Sequence, residues 1–168
     1  MNYKQYDDII DKISEKYKIE KELIKAIIYV ESSFIKYAYR FESGFYKRYI
    51  KNNKRFKSHL FYDEPKIIAA SYGLMQIMFT TFEELGMKEI LDPEILYDPE
   101  TNINYGVKYL KRKISLYGLE LGIISYNSGS PRGIKPKEEP NFKYLKKVSC
   151  AYKKFNGANQ ILLNYCSW

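Results

Sequence analysis

Apolar residues return at helical spacing in six stretches of the chain, and the residues between them mark where each stretch stops. Tyr3, Tyr6, Ile10, Ile13 and Tyr17 share one face and predict a first amphipathic helix. Leu23, Ile24, Ile27 and Ile28 predict a second over residues 21–32. Thr80 or Thr81 is expected to cap a third that runs through Phe82 and Leu85 and stops at Gly86. Pro93 and Pro99 break the chain, and Val107, Leu110, Ile114 and Leu116 or Tyr117 then predict a helix from about Glu100 to Tyr117. "LELGIISYNSGSPRG" reads as a short apolar helix running into a Gly/Ser/Pro loop. Tyr144, Leu145, Val148, Tyr152 and Phe155 stripe a lysine-rich helix ending at Asn156-Gly157. No strand pair stands out, so the pattern predicts a mainly α fold of about six to eight helices with little or no sheet.

Two segments stand apart. Residues 35–65 are basic, aromatic and weakly periodic, and are expected to form a lobe of short elements capping a site. Residues 141–168 form a C-terminal helical segment. No repeat and no Gly/Ser/Pro linker divides the 168 residues, so a single domain over 1–168 is expected.

One acid sits against the pattern. In "KELIKAIIYVESSF", Glu31 falls three residues after Ile28 and four after Ile27, on the apolar stripe. Glu20 and Glu22 lie at the helix start, where the macrodipole favours them. Desolvation disfavours a carboxylate, so an acid on an apolar face tends to hold its proton near neutral pH and can act as a general acid. From the helix alone, the plainer reading is a Glu31 that lies just past the buried turn and reaches solvent.

Charge and composition narrow the setting. Lys and Arg number 28 against 20 Asp and Glu, a net charge of +8 that favours nucleic acid, anionic membrane or anionic wall polymer. Joint abundance of Lys, Ile, Asn and Tyr also reads as plain compositional bias. "YKRYIKNNKRFK" interleaves cations with aromatics as single-strand binders do, but no nucleic-acid motif surrounds it, and no nucleic-acid partner is expected. The longest apolar run, Ala26–Val30, is far short of the roughly 20 residues that span a bilayer. The opening "MNYKQYDDII" has no apolar h-region, so synthesis in the cytoplasm without a signal peptide is expected. Cys150 and Cys166 have no metal-ligand spacing and are expected as reduced thiols. His59 stands alone, so neither a metal nor a cofactor is expected.

Five short motifs occur in order: "ESSF" (31–34), "YGLMQIM" (72–78), "YDPETNINYGVKYL" (97–110), "SYNSG" (125–129) and "NFKYLKKV" (141–148). Together they resemble the soluble lytic transglycosylase (SLT) domain family of the lysozyme-like, α+β superfamily, over about three quarters of the chain. The resemblance implies a peptidoglycan lytic transglycosylase. Glu31 would be the sole catalytic acid/base, cleaving the β-1,4 bond between N-acetylmuramic acid and N-acetylglucosamine. The muramyl C6 hydroxyl would be the nucleophile, giving a 1,6-anhydro product. Tyr72, Met75, Gln76, Met78, Tyr126, Asn127 and Tyr144 would bind the glycan. The implied partner is a peptidoglycan strand, met by a monomer in the periplasm. With no signal peptide expected, the expected setting is phage lysis, with release by a holin, or a virion-associated role, and a bacterial protein exported by another route is the competing one.

Two departures keep alternatives open. Many members carry Ser nine positions after the catalytic Glu, where this chain has Arg40, expected to pair with Glu42 or face solvent. The Glu31–Gly73 segment is also long and holds Glu42, Asp63 and Glu64. One of these, suitably placed, would make the enzyme a hydrolytic lysozyme. The third alternative is a non-catalytic glycan-binding module. The aromatics of the 35–65 lobe are expected either to wall the glycan groove, with Phe45 or Tyr46 near the sugar, or to form a small satellite core.

Overall fold

The computed structural model describes residues 3–59, 61, 63–86, 92–131 and 140–166. A single 3-10 turn over Tyr3–Tyr6 leads into α1 (Asp7–Tyr17), where Asp7 and Asp8 meet the positive end of the helix dipole. Lys18, in a left-handed conformation, ends it, and α2 (Lys21–Ser32) follows. Ile10, Ile13, Ile24, Ile27 and Ile28 are buried, as the periodicity predicts.

The next segment is built from short pieces: β1 (Tyr39–Phe41), α3 (Ser43–Phe45) continuing as a π-helical turn over Tyr46–Ile50, and α4 (Pro65–Ile68). Then come β2 (Ala70–Tyr72), β3 (Ile77–Met78) and α5 (Phe79–Glu84). The three strands form an antiparallel sheet in the order β1-β2-β3, with Arg40 opposite Ser71 and Ser71 opposite Met78. Strands of two or three residues are too short for alternation to show in the sequence, so this sheet was not anticipated element by element. Neither Thr80 nor Thr81 caps α5. The helix begins at Phe79 with no side-chain cap, which brings Phe79 and Phe82 together onto the core.

α6 (Pro99–Tyr117) starts where Asp98 accepts the Thr101 amide hydrogen at 2.8 Å, with Pro99 at its first position, and stops at Gly118. α7 (Leu119–Ser128) packs closely against it. The loop after α7 lies mostly in residues 132–139, outside the described residues. α8 (Pro140–Lys154) packs on α2 and α7, and α9 (Gln160–Cys166) packs on α8. Nine α-helices are present among the described residues, of which α3 and α4 are single turns, so the fold is mainly α with one small sheet.

One apolar core runs from Tyr6 to Leu162 and draws on every long helix. A satellite of Ile50, Ile68 and Ala69, flanked by Phe41, Phe45, Tyr46 and Phe56, sits under the 35–65 lobe. His59 pins that lobe to α5. Its Nδ1 accepts the Phe61 amide hydrogen at 3.0 Å, so Nε2 carries the proton and donates to the Glu83 carboxylate at 2.8 Å. The expectation of reduced thiols is not met: Cys150 and Cys166 form a disulfide with their Cα atoms 4.7 Å apart. The cause is tertiary, since α9 folds back on α8 and brings the two residues together. Among the described residues no helix is long and apolar enough to cross a membrane.

Candidate active site

Glu31 occupies the last turn of α2. The helix ends at the next residue, Ser32, because Ser33 and Phe34 both take left-handed conformations, turning the chain away. Phe34 is buried between Tyr3, Tyr6 and Phe155, so aromatic packing holds that reversal. The Ser32 hydroxyl reaches the Leu74 carbonyl oxygen at 2.7 Å and ties the helix end to the turn between β2 and β3.

That turn is shaped by its residues. Gly73 has φ +72°, and a Cβ there would lie 2.4 Å from Asn102 Nδ2 and 2.5 Å from the Leu96 carbonyl oxygen, so glycine is required twice over. Asn102, fully buried on α6, binds the turn with its whole amide. Its Oδ1 accepts the Met75 amide hydrogen at 2.7 Å, and its Nδ2 donates to Tyr72 O at 2.9 Å and Leu96 O at 2.7 Å. Met75 is seated against Gly106, where a Cβ would lie 2.4 Å from its sulfur. Gln76 has φ +48°, and its side-chain amide donates to Gly73 O at 3.0 Å and Ala38 O at 3.1 Å.

Two buried tyrosines complete the arrangement. Tyr126 on α7 donates its hydroxyl to Met75 O at 2.7 Å. Tyr144 on α8 donates to Glu31 Oε1 at 2.6 Å. Burial pushes both phenols far above their ordinary pKa, so each is a fixed neutral donor. Tyr109, its ring tilted against that of Tyr126 with centroids 5.5 Å apart, is pushed up to about 12 by burial first and then by Glu84.

These elements enclose a cleft of about 480 Å³ lined by Glu31, Gln76, Ile77, Met78, Thr81, Tyr109, Tyr126 and residues 127–130. Arg40, Glu42, Phe45, Tyr49 and Ser71 also line it, Ser71 as the cross-strand partner of Met78. The Glu31 carboxyl is held above its ordinary pKa. Burial is the main cause, opposed by the Tyr144 hydrogen bond and by Arg40, and reinforced by Glu42. The site thus offers one half-buried acid oriented by a neutral hydroxyl, an arrangement suited to giving a proton to a leaving oxygen and taking one back.

Of the residues singled out from sequence, Glu31, Gln76, Met78, Tyr126 and Asn127 line this cleft. Tyr144 touches Glu31 directly. Tyr72 and Met75 are not among its lining residues. Tyr72 pairs with Tyr39 across the sheet and gives its hydroxyl to Ile67 O at 3.1 Å, while Met75 is fully buried against α6. Phe45 and Tyr49 border the cleft and Tyr46 packs into the satellite core, so the lobe supplies both a wall and a small core. Arg40 pairs with Glu42 at 2.5 Å and stays half exposed. Asp63 and Glu64 are not among the lining residues. Sequence reasoning missed Asn102 as an organiser, although the signal was there: like Glu31, it is a polar residue on a buried stripe, with Gly106 and Leu110. Ser71, Tyr109 and Thr81 gave no such signal. Among the described residues no group of three or more His, Cys, Asp or Glu side chains could hold a metal ion.

The transglycosylase SLT domain matches residues 8–149 of the chain. A membrane-bound lytic murein transglycosylase E of Buchnera aphidicola subsp. Acyrthosiphon pisum is 29% identical over 145 residues, which are 79% of this chain and 53% of that protein. The chain therefore spans about half the length of the curated relative it matches. No solved structure matches the chain.

Proposed function

Because the chain belongs to the transglycosylase SLT domain family, we propose that it is a lytic transglycosylase acting as a single catalytic domain on peptidoglycan glycan strands. The observation that carries this reading is the half-buried Glu31 carboxyl, raised in pKa by burial and held by Tyr144 at the wall of the cleft. Protonated Glu31 gives its proton to the glycosidic oxygen as the bond to the muramyl C1 breaks. The resulting carboxylate takes the proton of the muramyl C6 hydroxyl, whose oxygen closes on C1 to form the 1,6-anhydro ring. Asn127 presents its amide to the reacting sugars. Gln76 and Tyr126, whose hydrogens are given to Gly73 O, Ala38 O and Met75 O, offer their oxygens as acceptors, and Met78 adds an adaptable apolar wall. Tyr72 and Met75 support the turn that carries Gln76.

Hydrolysis is the second reading, and one observation favours it: Glu42 shares the cleft with Glu31. Against it, one Glu42 oxygen already accepts from Arg40 and from the Ser71 hydroxyl, which makes it a poor base for water. Mass spectrometry of digested peptidoglycan decides. Anhydro-muramyl ends, one water lighter than reducing ends, support transglycosylation, and reducing ends alone would establish hydrolysis.

We place the activity at the bacterial wall, outside the cytoplasm, as a monomer in phage lysis or in the virion. The Cys150–Cys166 disulfide supports the compartment, since such bonds persist in oxidising surroundings. Its presence in purified phage particles, or at the time of lysis, tests the setting.

A further inference from the structure

Among the residues lining the cleft, the charged ones are Glu31, Arg40 and Glu42, and the activity proposed above has no use for the last two. They lie two residues apart where β1 runs into the next turn, on the side of the sheet that carries Ser71 and Met78. Arg40 Nε donates to Glu42 Oε1 at 2.5 Å, and the same oxygen accepts the Ser71 hydroxyl at 3.0 Å. Ser71 is the cross-strand partner of Arg40, so sheet register fixes all three. Among the described residues the only hydrogen bond of the guanidinium is through Nε. Its two terminal amino groups have no hydrogen-bond partner among the described residues, and the side chain is 52% exposed.

A cation here works against the acid it neighbours, because it favours the ionised form of Glu31. Glu42 offsets that effect and immobilises the guanidinium before anything binds, which lowers the entropic cost of using it. The backbone of a glycan is uncharged and gives Arg40 no counter-charge. The peptide stems on its muramic acid residues carry carboxylates, and the planar fork of a guanidinium matches a carboxylate.

We propose that Arg40 is a specificity-determining residue whose free amino groups bind a carboxylate of the peptide stem, so that the enzyme selects peptide-bearing strands over bare glycan. This rests on the reading of the cleft as a peptidoglycan-cleaving site.

The test compares two substrates, peptidoglycan with its stems and the same glycan stripped of stems by an amidase. The readout is the ratio of kcat/KM on the first to that on the second. The wild-type ratio is expected to be about tenfold, the effect of one charge-assisted hydrogen-bonded pair in a partly exposed setting. Arg40→Gln should bring the ratio to about one, with the change carried by KM on the stem-bearing substrate. Arg40→Lys, which keeps the charge without the fork, should give an intermediate ratio. A wild-type ratio near one, an Arg40→Gln ratio that stays high, or a ratio left unchanged because both substrates suffer equally would each overturn the assignment. Failure of the wild type to cleave either substrate would overturn the activity itself, and this assignment with it.

Discussion

Tyr144 and Glu31 lie 113 residues apart in sequence and meet in a 2.6 Å hydrogen bond from phenol to carboxylate. α8 packs on α2, and that contact sets one oxygen of the acid. The donor favours the ionised form, opposing the burial that raises the pKa. Tyr144→Phe should therefore raise the Glu31 pKa further and move the basic limb of the kcat/KM profile to higher pH. The rate at the optimum should fall about 5- to 30-fold, the equivalent of about 1–2 kcal/mol for a lost hydrogen bond to a charged group. A pH profile on solubilised peptidoglycan checks both. An unmoved basic limb would show that the bond does not govern the acid.

Glu31→Gln should remove wall cleavage by a factor of about 10²–10⁴ or more, since Gln keeps the shape but carries no transferable proton. Release of soluble muropeptides measures the loss, with circular dichroism to confirm the fold. A folded variant that keeps more than a few per cent of the wild-type rate would remove Glu31 from the mechanism.

The same substitution has a stability signature. The folded-state pKa of Glu31 is raised above the ordinary 4.5, so its contribution is fully present below that pH and is lost as pH rises through the folded value. Ionisation of Glu31 thus destabilises the fold, by on the order of 1 kcal/mol for each unit by which the pKa is raised. Glu31→Gln should match the wild type at acid pH and become the more stable protein as pH rises toward neutrality. Urea unfolding at several pH values between 4 and 8 would show this widening gap, and a constant difference would contradict it.

Asn102→Ala should cost about 2–4 kcal/mol, because it leaves the Met75 N–H and the Tyr72 and Leu96 carbonyls without their buried partner. Gly73→Ala acts on the same contact, through positive φ and the clash with Asn102. The double variant should therefore lose clearly less than the sum of the two single losses. Additive losses in thermal or urea unfolding would mean that the two residues do not share one structural unit.

Non-reduced, denatured protein should show no free thiol, and Cys150→Ser should lower stability by about 2–3 kcal/mol, as expected for a short closed loop. A thiol assay finding two reactive cysteines would place the chain in its reduced form.

Much of the architecture was legible in the chain because helices are local. Ile10, Ile13, Ile24, Ile27 and Ile28 declare their faces within one or two turns, and all are buried. The misplacement of Glu31 on that stripe was visible for the same reason. The ordered motifs added the family, and with it the expectation that Gln76 and Tyr126 would converge on one site.

What only tertiary structure decided depends on contacts between distant segments. The sheet is made of strands too short to leave a period, and its register alone sets Arg40 opposite Ser71. The sequence could place Met75 and Gln76 in one motif but could not tell which faced the cleft. That was settled by Asn102 and Gly106, which draw the Met75 side of the turn against α6 and leave Gln76 lining the cleft that Glu31 also lines. Cys150 and Cys166 looked like separate thiols until α9 folded back on α8. In each case the deciding quantity is a distance across the fold, set by packing between elements that share no local pattern.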